Sequence, residues 1–371
     1  MKKKLLLFAR DPGGTNTIIA MEKKLRDKYN VILFGKDVAL DKFKQVNLDA
    51  RNIQEYVKKI SYNNIVDFLK KLNPEIILTG TSIDDMTENY IWKAAEKLNI
   101  PAYAILDQWL NYGIRFSEYG INDLDKYECN KIQPYLPKKI CVMDEYAKKE
   151  IEREGIPGDR IVVTGQPYFE WFKHWVEEVE DDELLRVKRM FGYENEKVII
   201  FASEPICKTY GRNAGAWGYT EETIFRVFQE SIDYVTRLTR KRVSVIIRPH
   251  PKEDMENWQK RTWDTEYITY YIDKEIENRL AIRMADLVVG MTSMFLIESA
   301  LCGKKFLSIQ IGLRKENNFI LEKEGITKSI VTKEELKDKL LEFMEEKMET
   351  VLWNTSNHAA SNIEHLMEEC L

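Results

Sequence analysis

Short unbroken apolar runs alternate along this chain with longer stretches whose apolar residues recur every three to four positions. KKLLLFAR opens the series as a strand with apolar residues on both faces. DPGGTN (11–16) follows as a turn, and a helix is expected from about Thr17 to Tyr29. NVILFG reads as the second strand. Ile53 to Leu72 reads as one helix, with Ile60, Ile65, Phe68 and Leu69 as its apolar points. PEIILTG is the third strand, followed by a helix, TENYIWKAAEKLN, that stops before Pro101. PAYAILD and KKICVMD are the next strands. EYAKKEIEREG is a helix closed by Gly155, and DRIVVTGQP is the last strand of this half.

From Tyr168 to Gly192 the pattern becomes aromatic, then acidic, then helical over 182–191, which reads as a connection between domains. The alternation then restarts with EKVIIFASEP and a long helix, EETIFRVFQESIDYVTRLT. RVSVIIRPHP, a weaker strand YITYYID, the helix ENRLAIRMA and the strand LVVG come next. The helix MFLIESALCG and the strand KKFLSIQIG complete it. A helix over 333–349 has Thr332 at its cap and Glu335 three residues on, the spacing of a capping box. A last helix is expected within 354–371. Strands apolar throughout and separated by helices predict parallel sheets covered on both faces. Two such α/β halves divide the chain into 1–170, a connection 171–195, a second domain 196–350 and a C-terminal helical segment 351–371 that packs back on the first domain.

Composition narrows the class. The 371 residues are 44% hydrophobic, enough for two full cores. Charged residues reach 32%, but the signs nearly cancel to −5, so the basic face of a nucleic-acid binder is absent. Five dispersed cysteines with no CxxC pair suit a reducing cytoplasm, and neither they nor any spaced acidic pair suggests a metal site. Arg10-Asp11 interrupts the apolar start, so no signal peptide is expected, and no apolar run reaches the length of a membrane span. The expectation is a cytoplasmic protein, with room for peripheral contact at the inner face of the membrane.

Ligands of open α/β sheets bind beyond the carboxyl ends of the strands, and the candidates there fall into two rows expected to face each other across a cleft. In the first half, Gly13, Gly14 and Asn16 form a loop sized for a sugar or phosphate, with Asp11 as a candidate general base. Asp107, Trp109, Tyr112 and Arg115 suit a sugar acceptor: carboxylate for a hydroxyl, indole for the ring face. A packing cluster with a capping Asp is the alternative. In the second half, His250 stands between Pro249 and Pro251, which fix the backbone. With Arg248 and Lys252 beside it, an anion site is expected. Thr292 and Ser293 open a helix, as caps, phosphate ligands or both. Glu298, inside an apolar helix, needs a partner: ribose hydroxyls, or a buried Arg or Lys. Ser203-Glu204-Pro205 is a weaker loop for donor phosphate. Lys208, Arg212 and glycines 211, 215 and 218 suggest a basic flap or a solvated loop.

GDRIVVTGQPYF (158–169), RPHP (248–251) and ADLVVGMTSMFLIESALCGKK (285–305) resemble segments of the GT-B glycosyltransferase superfamily. The resemblance implies two Rossmann-like domains with parallel sheets facing a central cleft, an N-terminal acceptor domain and a C-terminal nucleotide-donor domain. The His-Pro pair and the Ser-containing strand end are similar to those of bacterial sialyltransferases, polysialyltransferases and teichoic-acid glycerophosphotransferases, which use cytidine nucleotides. By that likeness His250 and Pro251 contact the nucleotide, Ser293 its phosphate and Glu298 its ribose. The acid-acid-Gly base motif of those families has only ARDPGG in its place. NDP-sugar 2-epimerases share the fold and the GIPGDRIVVTGQP style of segment, but their GTRPE-like loop is absent.

The expectation is therefore a metal-independent glycosyltransferase without a cofactor, moving sugar from a CMP- or UDP-type donor to a glycan or lipid-linked acceptor. In this reading Asp11 or Asp107 is the base, and His250 steadies the leaving phosphate. A hydrolysing 2-epimerase and a non-catalytic nucleotide- or glycan-binding protein are the alternatives.

Overall fold

A computed structural model of the chain describes residues 2–190, 197–210, 217–250, 252–351, 353, 355–356 and 358–369. The chain forms two compact units, one of residues 1–171 with 355–371 and one of residues 172–354. No helix among the described residues is long and apolar enough to cross a membrane.

Unit 1 is built on β1 (Lys4–Ala9), β2 (Asn30–Gly35), β3 (Arg51–Asn52), β4 (Ile76–Thr79), β5 (Ala102–Ile105), β6 (Lys139–Val142) and β7 (Ile161–Val163). They pair in the order β3-β2-β1-β4-β5-β6-β7, every pair parallel. Leu5 of β1 lies opposite Val31 on one side and Ile76 on the other. Leu5, Leu6 and Leu7 are all buried, because helices cover both faces of the sheet. β3 has no apolar signature and is invisible to a periodicity reading.

The first helix runs Pro12–Lys28, so the expected DPGGTN loop is in fact its first turn. Proline is favoured at the first helical position because its missing N–H is one the helix leaves unpaired anyway. The glycines have a packing reason. Gly14 lies against Gly80 at the end of β4, where a Cβ on Gly80 would stand 2.6 Å from the Cα of Gly14. Gly80→Ala should therefore destabilise the fold by about 1–3 kcal/mol, as overpacking does, read as a lower midpoint of denaturant unfolding. The helix expected over 53–72 is two, Ile53–Tyr56 and Tyr62–Leu72. Ser61 starts the second by accepting a hydrogen bond from the N–H of Asn64.

The helix Ala359–Glu368 belongs to unit 1. Its Ala360, Ile363 and Met367 share a core with Leu5, Leu7 and Ile18. Lys28 pairs with Glu364 at 2.8 Å and Glu368 at 2.9 Å, and Asn362 Nδ2 donates to the Thr164 carbonyl at 3.0 Å.

Unit 2 carries β8 (Lys197–Ala202), β9 (Val243–Arg248), β10 (Ile268–Ile272), β11 (Leu287–Gly290) and β12 (Phe306–Ser308). Their order is β10-β9-β8-β11-β12, again all parallel. The long helix Glu221–Thr239 opens with a reciprocal Thr220–Thr223 cap and ends at Arg240, whose φ of 55° breaks it. Its Ile224, Phe228, Ile232 and Val235 bury one stripe in the core of the unit. The stretch expected as a connection is helical, Pro167–Glu177 and Asp181–Met190, and from Phe172 on it is part of unit 2. In each sheet the chain reverses its direction of travel once, between β1 and β4 and between β8 and β11. Such switch points are where α/β sheets hold ligands.

Candidate functional site

A cavity of about 710 Å³ opens at the carboxyl edge of the unit 2 sheet, at the β8/β11 switch point. Its wall includes Ser203 and Glu204 after β8, Arg248 and His250 at the end of β9, and Ser293 and Phe295 after β11. Lys274 and Asn278, from the segment after β10, complete it.

His250 is held from several directions. Its backbone N–H donates to Glu253 Oε2 at 2.6 Å, and Glu253 Oε1 accepts from Ser203 Oγ at 2.9 Å. Glu253 thus fastens the turn after β9 to the end of β8. The N–H of Lys252 donates to His250 Nδ1 at 3.1 Å, which leaves Nε2 to carry the proton of the neutral ring. Burial, then Lys252 and Lys274, hold the imidazole below its ordinary pKa. His250 is therefore a neutral ring with one N–H donor at the cavity. Pro251, Gly211, Arg212 and Gly215 lie outside the described residues.

Arg248 is a tie within the wall rather than a free anion ligand. Its guanidinium donates to the Ile276 carbonyl at 2.7 Å and to Asn278 Oδ1 at 2.8 Å, and pairs with Asp273 at 3.4 Å. It also lies 5.4 Å from the centre of the Phe295 ring. Asn278 Nδ2 in turn donates to Glu298 Oε2 at 3.1 Å. Glu298 thus has polar partners in the Asn278 amide and, through charge, in Arg248, the kind of buried cation expected as the alternative, while Asn278 reaches the cavity wall.

Thr292 departs from the phosphate-ligand expectation. Its N–H donates to Glu204 Oε1, and its Oγ1 donates to Oε2 at 2.9 Å. Ser293 occupies the cap position of the helix Met294–Leu301 without capping it, and its Oγ is buried with no hydrogen-bond partner. A cap hydroxyl left unpaired beside a cavity is a donor available to a ligand.

The edge of unit 1 gathers charge at its own switch point. Asp11 stands at the cap of the helix Pro12–Lys28, does not cap it, and pairs with Arg10 at 2.8 Å. Burial raises its carboxyl pKa, opposed by Arg10 and Arg115. Asp107 and Arg115 form a buried ion pair at 3.0 Å, shared with Thr81 Oγ1. A Cβ on Gly13 would stand 1.8 Å from Asp107 Oδ2, so this glycine makes room for the carboxylate. Asn16 accepts from Lys42 Nζ at 2.7 Å. Trp109 is buried, stacked on Phe169, and donates to Asp144 Oδ2 at 2.6 Å. Tyr112 is buried too. Of the expected acceptor residues, Arg115, Trp109, Tyr112 and Gly14 are thus interior parts of the fold, while Gly13, Asn16 and the expected base Asp11 are only partly buried.

Glu253, Asn278, Lys274 and Phe295 were not singled out by sequence reasoning. Only Glu253 carried a signal, as the acid three residues after the histidine in RPHPKED.

No protein-family model matches the sequence, and no curated protein matches it either. Solved structures do. A UDP-GlcNAc 2-epimerase from Methanocaldococcus jannaschii superposes with a TM-score of 0.69 at 14% identity, covering 99% of both chains. The Neisseria meningitidis UDP-GlcNAc 2-epimerase bound to UDP-GlcNAc gives 0.67 at 15% identity, over 99% of this chain and 100% of that one. A glycosyltransferase from Rickettsia africae gives 0.58 at 12% identity, over 100% and 93%. The chain has the GT-B fold, with an all-parallel α/β sheet in each of its two units.

Proposed function

We propose that the chain is a nucleotide-sugar enzyme of GT-B fold, and specifically a glycosyltransferase that moves a sugar from a CMP- or UDP-type donor to a glycan acceptor. The observation that carries this reading is the cavity at the β8/β11 switch point, roomy enough for a nucleotide and lined by the His250 ring and the unpaired Ser293 hydroxyl. His250 Nε2–H, Ser293 Oγ–H and the first N–H groups of the helix Met294–Leu301 bind the donor phosphates. They stabilise the charge that grows on the leaving phosphate. Phe295 and Asn278 shape the rest of the wall. In unit 1, Asp11 is the base that takes the proton of the acceptor hydroxyl. Its raised pKa makes it a stronger base than an ordinary carboxylate. Asp107, locked to Arg115, holds the edge together instead.

Several of the similar structures are UDP-GlcNAc 2-epimerases, which supports a second reading, epimerisation. One experiment separates them. The protein is given UDP-GlcNAc and CMP- and UDP-sugars, each alone and with oligosaccharide acceptors. The transfer reading expects turnover only when an acceptor is present. Turnover of UDP-GlcNAc alone to an epimerised sugar would select the second reading. Binding of nucleotides without turnover in any mixture would reject both in favour of a binding protein.

A further inference from the structure

We propose that Glu204 is the residue through which this cavity reads the charge of a bound phosphate, and that nucleotide binding loads its carboxylate with a proton. The inference rests on the nucleotide-binding reading of the cavity.

Glu204 follows β8 and reaches across the switch point to the turn after β11. Its carboxylate accepts the N–H and the hydroxyl of Thr292, and the N–H of Ser293. Those donors stand immediately ahead of the helix Met294–Leu301, where the helix end favours an anion. An acid of the protein itself therefore sits in the wall of the cavity beside the place that suits a phosphate. The buried, unpaired Ser293 Oγ belongs to the same wall, so the ligand-binding donor and the acid are neighbours.

Among the described residues, the groups named around Glu204 do not neutralise it. Glu253, from the turn after β9, is a second acid, and Tyr219, ahead of the helix Glu221–Thr239, also feels the Glu204 charge. Arg248 is committed to Asp273, Asn278 and the Ile276 carbonyl. Lys274 donates to the Glu253 carbonyl, and His250 is held below its ordinary pKa. Burial pushes the Glu204 carboxyl up to about 7, against the pull of the Thr292 and Ser293 donors.

A phosphate entering this cavity brings negative charge close to the carboxylate, away from water. Like charges in such a site drive one partner to protonate. A sugar diphosphate keeps its charge across the neutral range, so Glu204 takes the proton. As a carboxylic acid it still accepts from Thr292 and can donate its O–H to a phosphate oxygen, a short charge-assisted bond.

The test is calorimetric titration of the full chain with UDP-GlcNAc and with a CMP-sugar at pH 6, 7 and 8. Two buffers of different ionisation enthalpy are used, so that proton uptake is counted directly. The expected result is uptake of about half a proton per nucleotide at pH 7 and about tenfold weaker binding at pH 8 than at pH 6. Both effects should vanish in Glu204→Gln and persist in His250→Gln, the wall's histidine, whose ordinary pKa of 6.5 lies within the tested range. Uptake of no protons by the wild type, or uptake that survives in Glu204→Gln, overturns the proposal. If neither nucleotide sugar binds the wild type at any pH, the nucleotide reading of the cavity falls with it. Binding without proton uptake removes the role of Glu204 alone.

Discussion

His250→Ala should lower turnover by roughly 10²–10³-fold while leaving most of the donor affinity in place. The imidazole presents a single N–H to the cavity, and a hydrogen bond of that kind strengthens as charge builds on the leaving phosphate. Its loss is therefore felt in the chemical step more than in binding. The ring's position comes from the turn that carries it: Glu253 accepts the His250 backbone N–H, and Lys252 donates to Nδ1. His250→Asn, which keeps a donor of shorter reach, should recover part of the loss. Because the ring's pKa lies below its ordinary 6.5, it stays neutral above that pH, and no change in rate between pH 7 and 8 should trace to it. Single-turnover rates and equilibrium donor binding, measured on the same variants, decide the matter. An unchanged single-turnover rate in His250→Ala would sink the assignment.

Asp11→Asn should remove acceptor-dependent transfer, by roughly 10²–10⁴-fold, the range over which a positioned general base acts. Donor binding should be untouched, since the donor cavity belongs to the other unit. The substitution keeps size and polarity, so the Arg10 contact weakens without a cavity being created. The wild-type rate should also fall on acidification through a pKa above that of an ordinary carboxylate, because burial raises the Asp11 carboxyl and protonation removes the base. Asp11→Asn should lose that acid limb. A variant that transfers at the wild-type rate would move the base elsewhere on the unit 1 edge.

The strands and most helices were legible because strands buried on both faces leave unbroken apolar runs and helices leave a 3.6-residue stripe. The long helix after β8 falls on Glu221–Thr239, the stretch its periodicity marks. The exceptions have local causes. Pro12 at a helix start reads equally as a turn, and the close approach of Gly14 to Gly80 is a tertiary fact. Two-residue β3 has no pattern to detect. Lining up strand ends picked out Ser203, Arg248, His250 and Ser293, and these four share one cavity. Strand ends do not disclose how side chains pair across loops. Thr292 belongs to Glu204 and Glu298 to Asn278, each pair joining separate segments of the chain, and Arg115 turns back onto Asp107 within its own loop. Trp109 shows the same limit: an indole suited to a sugar face is instead spent on Phe169 and Asp144.

The helix Ala359–Glu368 has a consequence for biosynthesis. It supplies Ile363 and Met367, both fully buried, to a core that begins with Leu5. As the nascent chain leaves the ribosome, the contiguous second unit can close while the first still shows an uncovered apolar groove. Maturation of the first unit waits for the helix Ala359–Glu368 to emerge. Deleting that helix would therefore injure the core around Leu5 and Leu7, more than three hundred residues earlier.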